Sequence, residues 1–188
     1  MILLWRPSTQ RLARLLTQLQ DAPLTYRDVG ITEAERTPAG YRRVSRRIEL
    51  GRGREIFHKA GEAVLSWEVQ RCSGLGVHAE SPRAQTGEVV ITTVPAGPLV
   101  VAVPCRVVQV TREENRIGFA YGTLPGHPAS GEEAFMVEQQ GEDVLFTVTA
   151  VSRPGGWLER IGTPVLRIVQ SQVTERYLRS LQPVVEKV

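Results

Sequence analysis

In RIGFAYGTLPGHPASGEEAFMVEQQGEDVLFTVTAV, residues 116–151, Ile117, Phe119 and Tyr121 take one parity while the small Gly118, Ala120 and Gly122 take the other. A period of two is that of a strand, whose successive side chains leave opposite faces. The run reads as three strands, near 115–123, 131–140 and 143–152. A bend rich in Gly and Pro separates the first two, and the turn QQGED at 139–143 separates the last two. Connections this short exclude parallel crossovers, so the strands are antiparallel.

The same texture, rich in Val, Ile and Thr, extends backwards to about 75–81, 87–95 and 99–110, with EENR at 113–116 as another hairpin turn. Earlier still, Val44, Ile48 and Leu50 share a parity from Tyr41 on, which gives a seventh strand ended by Gly51 and Gly53. Helices flank these strands. Ser8 caps a helix over 9–20 with Leu12, Leu15, Leu16 and Leu19 on one face. Ile56, Phe57, Ala60, Ala63, Val64 and Trp67 mark one side of a helix over 53–68. Thr163 and Pro164 are an N-cap and first-turn pair for a helix running to about Gln182, with Val165, Val169, Val173, Tyr177 and Leu181 four apart along it. Residues 21–40, with Pro23, Gly30, Pro38 and Gly40, read as an irregular connection.

The fold class expected is α+β: a curved seven-stranded antiparallel sheet gripping a long C-terminal helix, with an extra N-terminal helix. The alternation gives the sheet one wet and one dry face, and the long helix covers the dry one. The 188 residues form a single domain, 1–40 holding the N-terminal helix and connection and 41–188 the sheet and remaining helices.

A hydrophobic fraction of 41% and a charged fraction of 23% are those of a globular chain. The opening MILLW is too short for a secretory signal or a membrane span, so a cytoplasmic protein with no membrane span is expected. Cys72 and Cys105 stand alone in sequence and read as buried thiols. No spacing suits a metal, no cofactor fingerprint is present, and no GxSxG precedes a hydrolase triad. Only Lys59 and Lys187 are lysines among 23 basic residues. Strand alternation sends Arg42 and Arg46 to one face and Arg43 and Arg47 to the other, which divides any stripe for nucleic acid, and no RNA- or DNA-binding signature accompanies it.

WRPS at 5–8, TYRDVGIT at 25–32, GYRR at 40–43, LGRG at 50–53, YGTLPGHPASGEEAF at 121–135 and SRP at 152–154 resemble an uncharacterised domain-of-unknown-function family of bacteria and plants. That family is similar in turn to the START-like, pollen-allergen-like helix-grip superfamily. The resemblance implies a hydrophobic cavity between sheet and long helix that binds lipids, polyketides or hormones, with cyclases or hydrolases among its members.

Parity selects the residues that face such a cavity. Phe119 and Tyr121 lie on the aromatic face, and of the two adjacent glutamates Glu133 shares a row with Phe135 and Val137 whereas Glu132 shares one with Ala134 and Met136. A single inward glutamate is expected, Glu133, with His127 as its nearest partner and Tyr121 as a hydrogen-bond donor. Arg46 falls in the inward row of the first strand and is a possible mate for Glu133. Trp67 and Trp157 join Phe119 in lining a cavity or in filling a plain core. His58 and His78 occupy polar parities. Three functions remain open: binding of a small hydrophobic or amphipathic molecule by Tyr121, His127, Glu133, Arg46, Phe119, Trp67 and Trp157; a cyclase- or hydrolase-like enzyme using a His/Glu acid-base pair; and a protein-interaction domain with a filled cavity.

Overall fold

The period-two segments pair into a single antiparallel sheet in a computed structural model that describes residues 2–5, 7–96, 99–155 and 175–185. In chain order the elements are β1 (Ile2–Trp5), α1 (Thr9–Leu19), β2 (Arg42–Arg52), α2 (Arg54–Leu65), α3 (Glu68–Cys72), β3 (Gly76–Ala79), β4 (Val89–Ala96), β5 (Leu99–Arg112), β6 (Arg116–Thr123), β7 (Ala129–Gln140) and β8 (Asp143–Pro154). Residues 175–180 form α4 and Gln182–Val185 form α5. The rest of the terminal helix expected from Thr163, and Trp157, lie outside the described residues.

Strand order is β2-β8-β7-β6-β5-β4-β3, the seven expected strands, all pairs antiparallel. The register shifts between Glu49 and Gly51 in β2 and between Val107 and Gln109 in β5. Extra residues of this kind bend a strand and raise its twist, which helps a sheet curve. An eighth strand, β1, was not expected. It pairs with residues 99–102 of β5, beyond the end of β6.

The concave face carries the main core. Phe57, Ala60 and Val64 of α2, Phe119 and Tyr121 of β6, Phe135 and Val137 of β7 and Phe146 and Val148 of β8 meet Tyr177, Leu178, Leu181 and Val185 from the C-terminal helices. The grip of sheet on terminal helix is therefore present in the described residues. The helix expected over 53–68 breaks at Trp67, which adopts left-handed backbone (φ 66°) and starts α3. That break turns the indole inward, where it is fully buried and edge-on to Phe119 at 5.0 Å.

The convex face is not uniformly wet. Leu12, Leu16 and Leu19 of α1 cover Val89, Ile91, Ala102 and Leu124, and Tyr26 and Ile31 cover Val151. Ser8 caps α1 as its sequence suggests, accepting the Arg11 N–H at 3.3 Å. The irregular connection is thus a strap across the back of the sheet. It lies tight against the sheet at Gly122, where a Cβ would overlap the Tyr26 hydroxyl. Two arginines fasten its backbone: Arg43 donates to the carbonyls of Ile31, Thr32 and Ala34 at 2.7–2.8 Å, and Arg106 to those of Leu19, Gln20 and Ala22 at 2.6–2.9 Å. A guanidinium holds several carbonyls at once because its donors form a rigid planar fork, which a lysine ammonium lacks. Among the described residues no helix is long and apolar enough to cross a membrane.

Candidate functional site

Antiparallel register sets Tyr121 of β6 directly opposite Glu133 of β7, and both point to the concave face. The Tyr121 hydroxyl donates to Glu133 Oε2 at 2.8 Å. Tyr177 from the terminal helix closes on the same point, in hydrogen-bond reach of Tyr121. Phe135 stands between them, 5.5 Å from the Tyr121 ring and 5.1 Å from the Tyr177 ring, and Phe119 lies 5.3 Å from Phe135. A carboxyl group is therefore set into a wall of aromatic rings.

Its electrostatics follow from that setting. Burial disfavours the carboxylate and pushes Glu133 up to about 7, against the opposing pull of the Tyr121 hydrogen bond. Burial, with the Glu133 charge behind it, likewise raises the Tyr121 and Tyr177 hydroxyls and the Cys105 thiol of β5. Glu133 nonetheless keeps some accessible surface, whereas Tyr121 and Tyr177 are 5% and 4% exposed. Among the described residues its Oε1 has no hydrogen-bond partner.

The neighbouring glutamate is inward in a different sense. Glu132 is 2% exposed but on the convex face, where its carboxylate accepts from Tyr26 Oη at 2.8 Å, Gly30 N at 2.9 Å, Thr32 N at 3.2 Å and Thr32 Oγ1 at 2.6 Å. Of the two, only Glu133 faces the concave side; Glu132 is buried on the opposite face, because the strap supplies a second cover there. Glu132 is the anchor of that strap, and only the TYRDVGIT segment, a hundred positions earlier, carries the donors that explain it.

His127 does not meet Glu133. Its Nδ1 accepts the N–H of Ala129 at 2.8 Å, and its own N–H donates to Leu124 O at 3.1 Å, so the imidazole shapes the β6–β7 bend. Burial lowers its pKa from 6.5 to about 4, partly offset by Ala129. Arg46 occupies the inward parity, opposite Val148, but β2 is an edge strand and the guanidinium is exposed, with Nη1 donating to the Ser45 carbonyl at 3.0 Å. It is not the mate of Glu133. Phe119 and Trp67 sit in the main core beside the cluster. Cys105 is buried as expected, whereas Cys72 is exposed at the end of α3. The i+4 row of the terminal helix marks Tyr177 as apolar lining or core but gives no sign of its hydroxyl's partner, and no sequence pattern marks Gln70; Gln70 is fully buried with neither amide atom bonded among the described residues, and the Trp67 indole N–H is in the same state. Among the described residues no group of His, Cys, Asp and Glu is placed to hold a metal.

Residues 25–180 match the model of a protein family described as a domain of unknown function, DUF1990. The chain belongs to this family. The match begins at Thr25, the first residue of TYRDVGIT, so the family unit includes most of the strap as well as the sheet. A UPF0548 protein of Deinococcus radiodurans is 29% identical over 192 residues, covering 96% of this chain and 97% of that one. The likeness to solved structures concerns the fold alone. The major latex-like protein 151 of Panax ginseng superposes with a TM-score of 0.54 at 14% identity, covering 77% of this chain and 97% of that chain. Ara h 8.0201 superposes with a TM-score of 0.56 at 10% identity, over 79% of this chain and 100% of that chain. This DUF1990 chain accordingly has the helix-grip architecture of the pollen-allergen-like proteins.

Proposed function

We infer that the chain binds a small hydrophobic or amphipathic molecule between the concave face of the sheet and the C-terminal helix, with Tyr121, Glu133 and Tyr177 at its polar end. One observation carries this reading: the Glu133 carboxyl is set among aromatic rings, desolvated enough to titrate near 7, with Oε1 unpaired among the described residues and surface still accessible. In a packed interior an unpaired acceptor costs about 1–3 kcal/mol and is rare. An accessible one amid apolar rings is what a recess with a few placed polar groups presents to a ligand. Phe119, Phe135 and Trp67, all fully buried, back the two tyrosines with an apolar core, and the helix-grip fold lends analogy.

The acid-base alternative is not carried forward, because the imidazole of His127 is engaged with Ala129 rather than Glu133. The test is native mass spectrometry of protein purified from its own host. A co-purifying small molecule that raises the melting temperature when added back is expected. At 100 times its dissociation constant a ligand adds about 2.7 kcal/mol, roughly 5–10 °C for a chain of this length. Protein that carries no adduct, and that no apolar compound stabilises, would refute the reading.

A further inference from the structure

The chemistry around Glu133 also restricts the ligand's polar end, provided that the binding reading above holds. We propose that this end is a cation: a hydrophobic amine whose ammonium group pairs with the open Oε1 of Glu133 and lies against the rings of Tyr121 and Tyr177. The carboxyl has one oxygen engaged, by Tyr121, and the other unbonded among the described residues. Among the described residues the groups that face it are a phenol from β6, a phenol from the terminal helix and a thiol from β5, while its neighbours in register on β8 and β2 are Ala150 and Val44. None of these supplies positive charge, and Glu133 takes part in none of the ion pairs among the described residues. Arg46, the cation that parity places nearest, is exposed on the edge strand.

A carboxylate with no countercharge repels an anionic headgroup and gives a neutral one only a hydrogen bond, but offers an ammonium both charge and geometry. Ring faces add to this, since their quadrupoles attract cations most strongly where water is excluded. Tyr121 and Tyr177, each packed edge-on against the buried Phe135 at 5.5 and 5.1 Å, supply such rings beside the carboxyl.

The sign of the pH dependence separates the ligand classes. Glu133 holds its proton up to about 7, so below that value an ammonium must displace a proton to solvent in order to pair. Amine affinity then falls about tenfold for each pH unit below 7 and levels off above it. A neutral ligand that accepts a hydrogen bond from the protonated carboxyl shows the reverse, weakening above 7.

Calorimetric titration with n-octylamine, n-octanol and octanoate at pH 5, 6, 7 and 8 tests this. Octylamine is expected to bind about tenfold or more tighter than octanol at pH 8, with octanoate weakest, and its affinity is expected to decline in acid. In Glu133→Gln the amine's advantage over the alcohol and its pH dependence should both vanish; the wild-type pH profile stands alone if that variant does not fold. Octanol or octanoate binding as tightly as octylamine at pH 8, or amine affinity indifferent to pH from 5 to 8, would overturn the proposal while leaving an apolar site in place. No binding of any of the three would overturn it together with the reading it rests on.

Discussion

Replacing Glu133 by Gln separates two titrations that oppose each other in the native protein. Burial raises Glu133 from 4.5 to about 7, and burial lowers His127 from 6.5 to about 4. The native state thus keeps a proton on Glu133 that the unfolded chain releases above pH 4.5. The stability this confers is complete below 4.5 and lost as pH rises through 7. His127 has the opposite sign: the unfolded chain takes up a proton below 6.5 that the native imidazole refuses until about 4, so its contribution is present above 6.5 and lost as pH falls through 4. Each proton affinity is displaced by about 2.5 powers of ten, and at about 1.4 kcal/mol per tenfold each contributes at most about 3–4 kcal/mol. From pH 4.5 to 6.5 the two slopes nearly cancel. Glu133→Gln removes one of them: its unfolding free energy, measured relative to wild type by urea titration, should rise by up to about 3–4 kcal/mol between pH 4.5 and 7. His127→Asn, whose Oδ1 replaces Nδ1 as acceptor for the Ala129 N–H, should show the mirror image, losing its acid sensitivity and keeping the decline toward pH 7. A difference between Glu133→Gln and wild type that stays level within about 0.5 kcal/mol from pH 4 to 8 would refute the desolvated carboxyl on which both the site and its ligand class depend.

Two further substitutions probe the opposite face. Glu132→Ala leaves the Tyr26 hydroxyl and both Thr32 donors without their acceptor and should lower stability by about 3–5 kcal/mol, read as a fall in the urea midpoint with faster proteolysis between residues 22 and 40; a loss under about 1 kcal/mol would mean that the strap is held elsewhere. Gly122→Ala drives a methyl into the Tyr26 hydroxyl and should cost about 1–3 kcal/mol in the wild-type background but much less with Tyr26→Ala; additivity of the two within about 0.5 kcal/mol would contradict the contact.

The strands were legible where alternation ran uninterrupted, because period two survives whatever the strand pairs with. Parity puts Tyr121 on the aromatic face and Glu133 in the row of Phe135, but their direct opposition is a matter of register, which the long bend between β6 and β7 does not announce. What sequence pattern missed depended on partners far along the chain. Ile2–Trp5 has too few residues to show a period, and becomes a strand only because residues 99–102 offer a free edge beyond β6. The 21–40 segment was rightly read as irregular, but nothing local to it announces that Tyr26 and Thr32 bond a glutamate on the far side of a hairpin. Arg46 illustrates the converse. Parity gave its face correctly, but an edge strand leaves a long side chain free to reach water, and alternation carries no information about edges.

The strap also orders events in time. Tyr26 must await a carboxylate 106 positions downstream, and β1 must await residues 99–102. At about 5–20 residues per second, the first forty residues leave the ribosome roughly 5–20 s before their landing place exists. Throughout that interval the leucine row of α1 lacks Val89, Ile91, Ala102 and Leu124 to cover, so its apolar side stays open until the sheet forms.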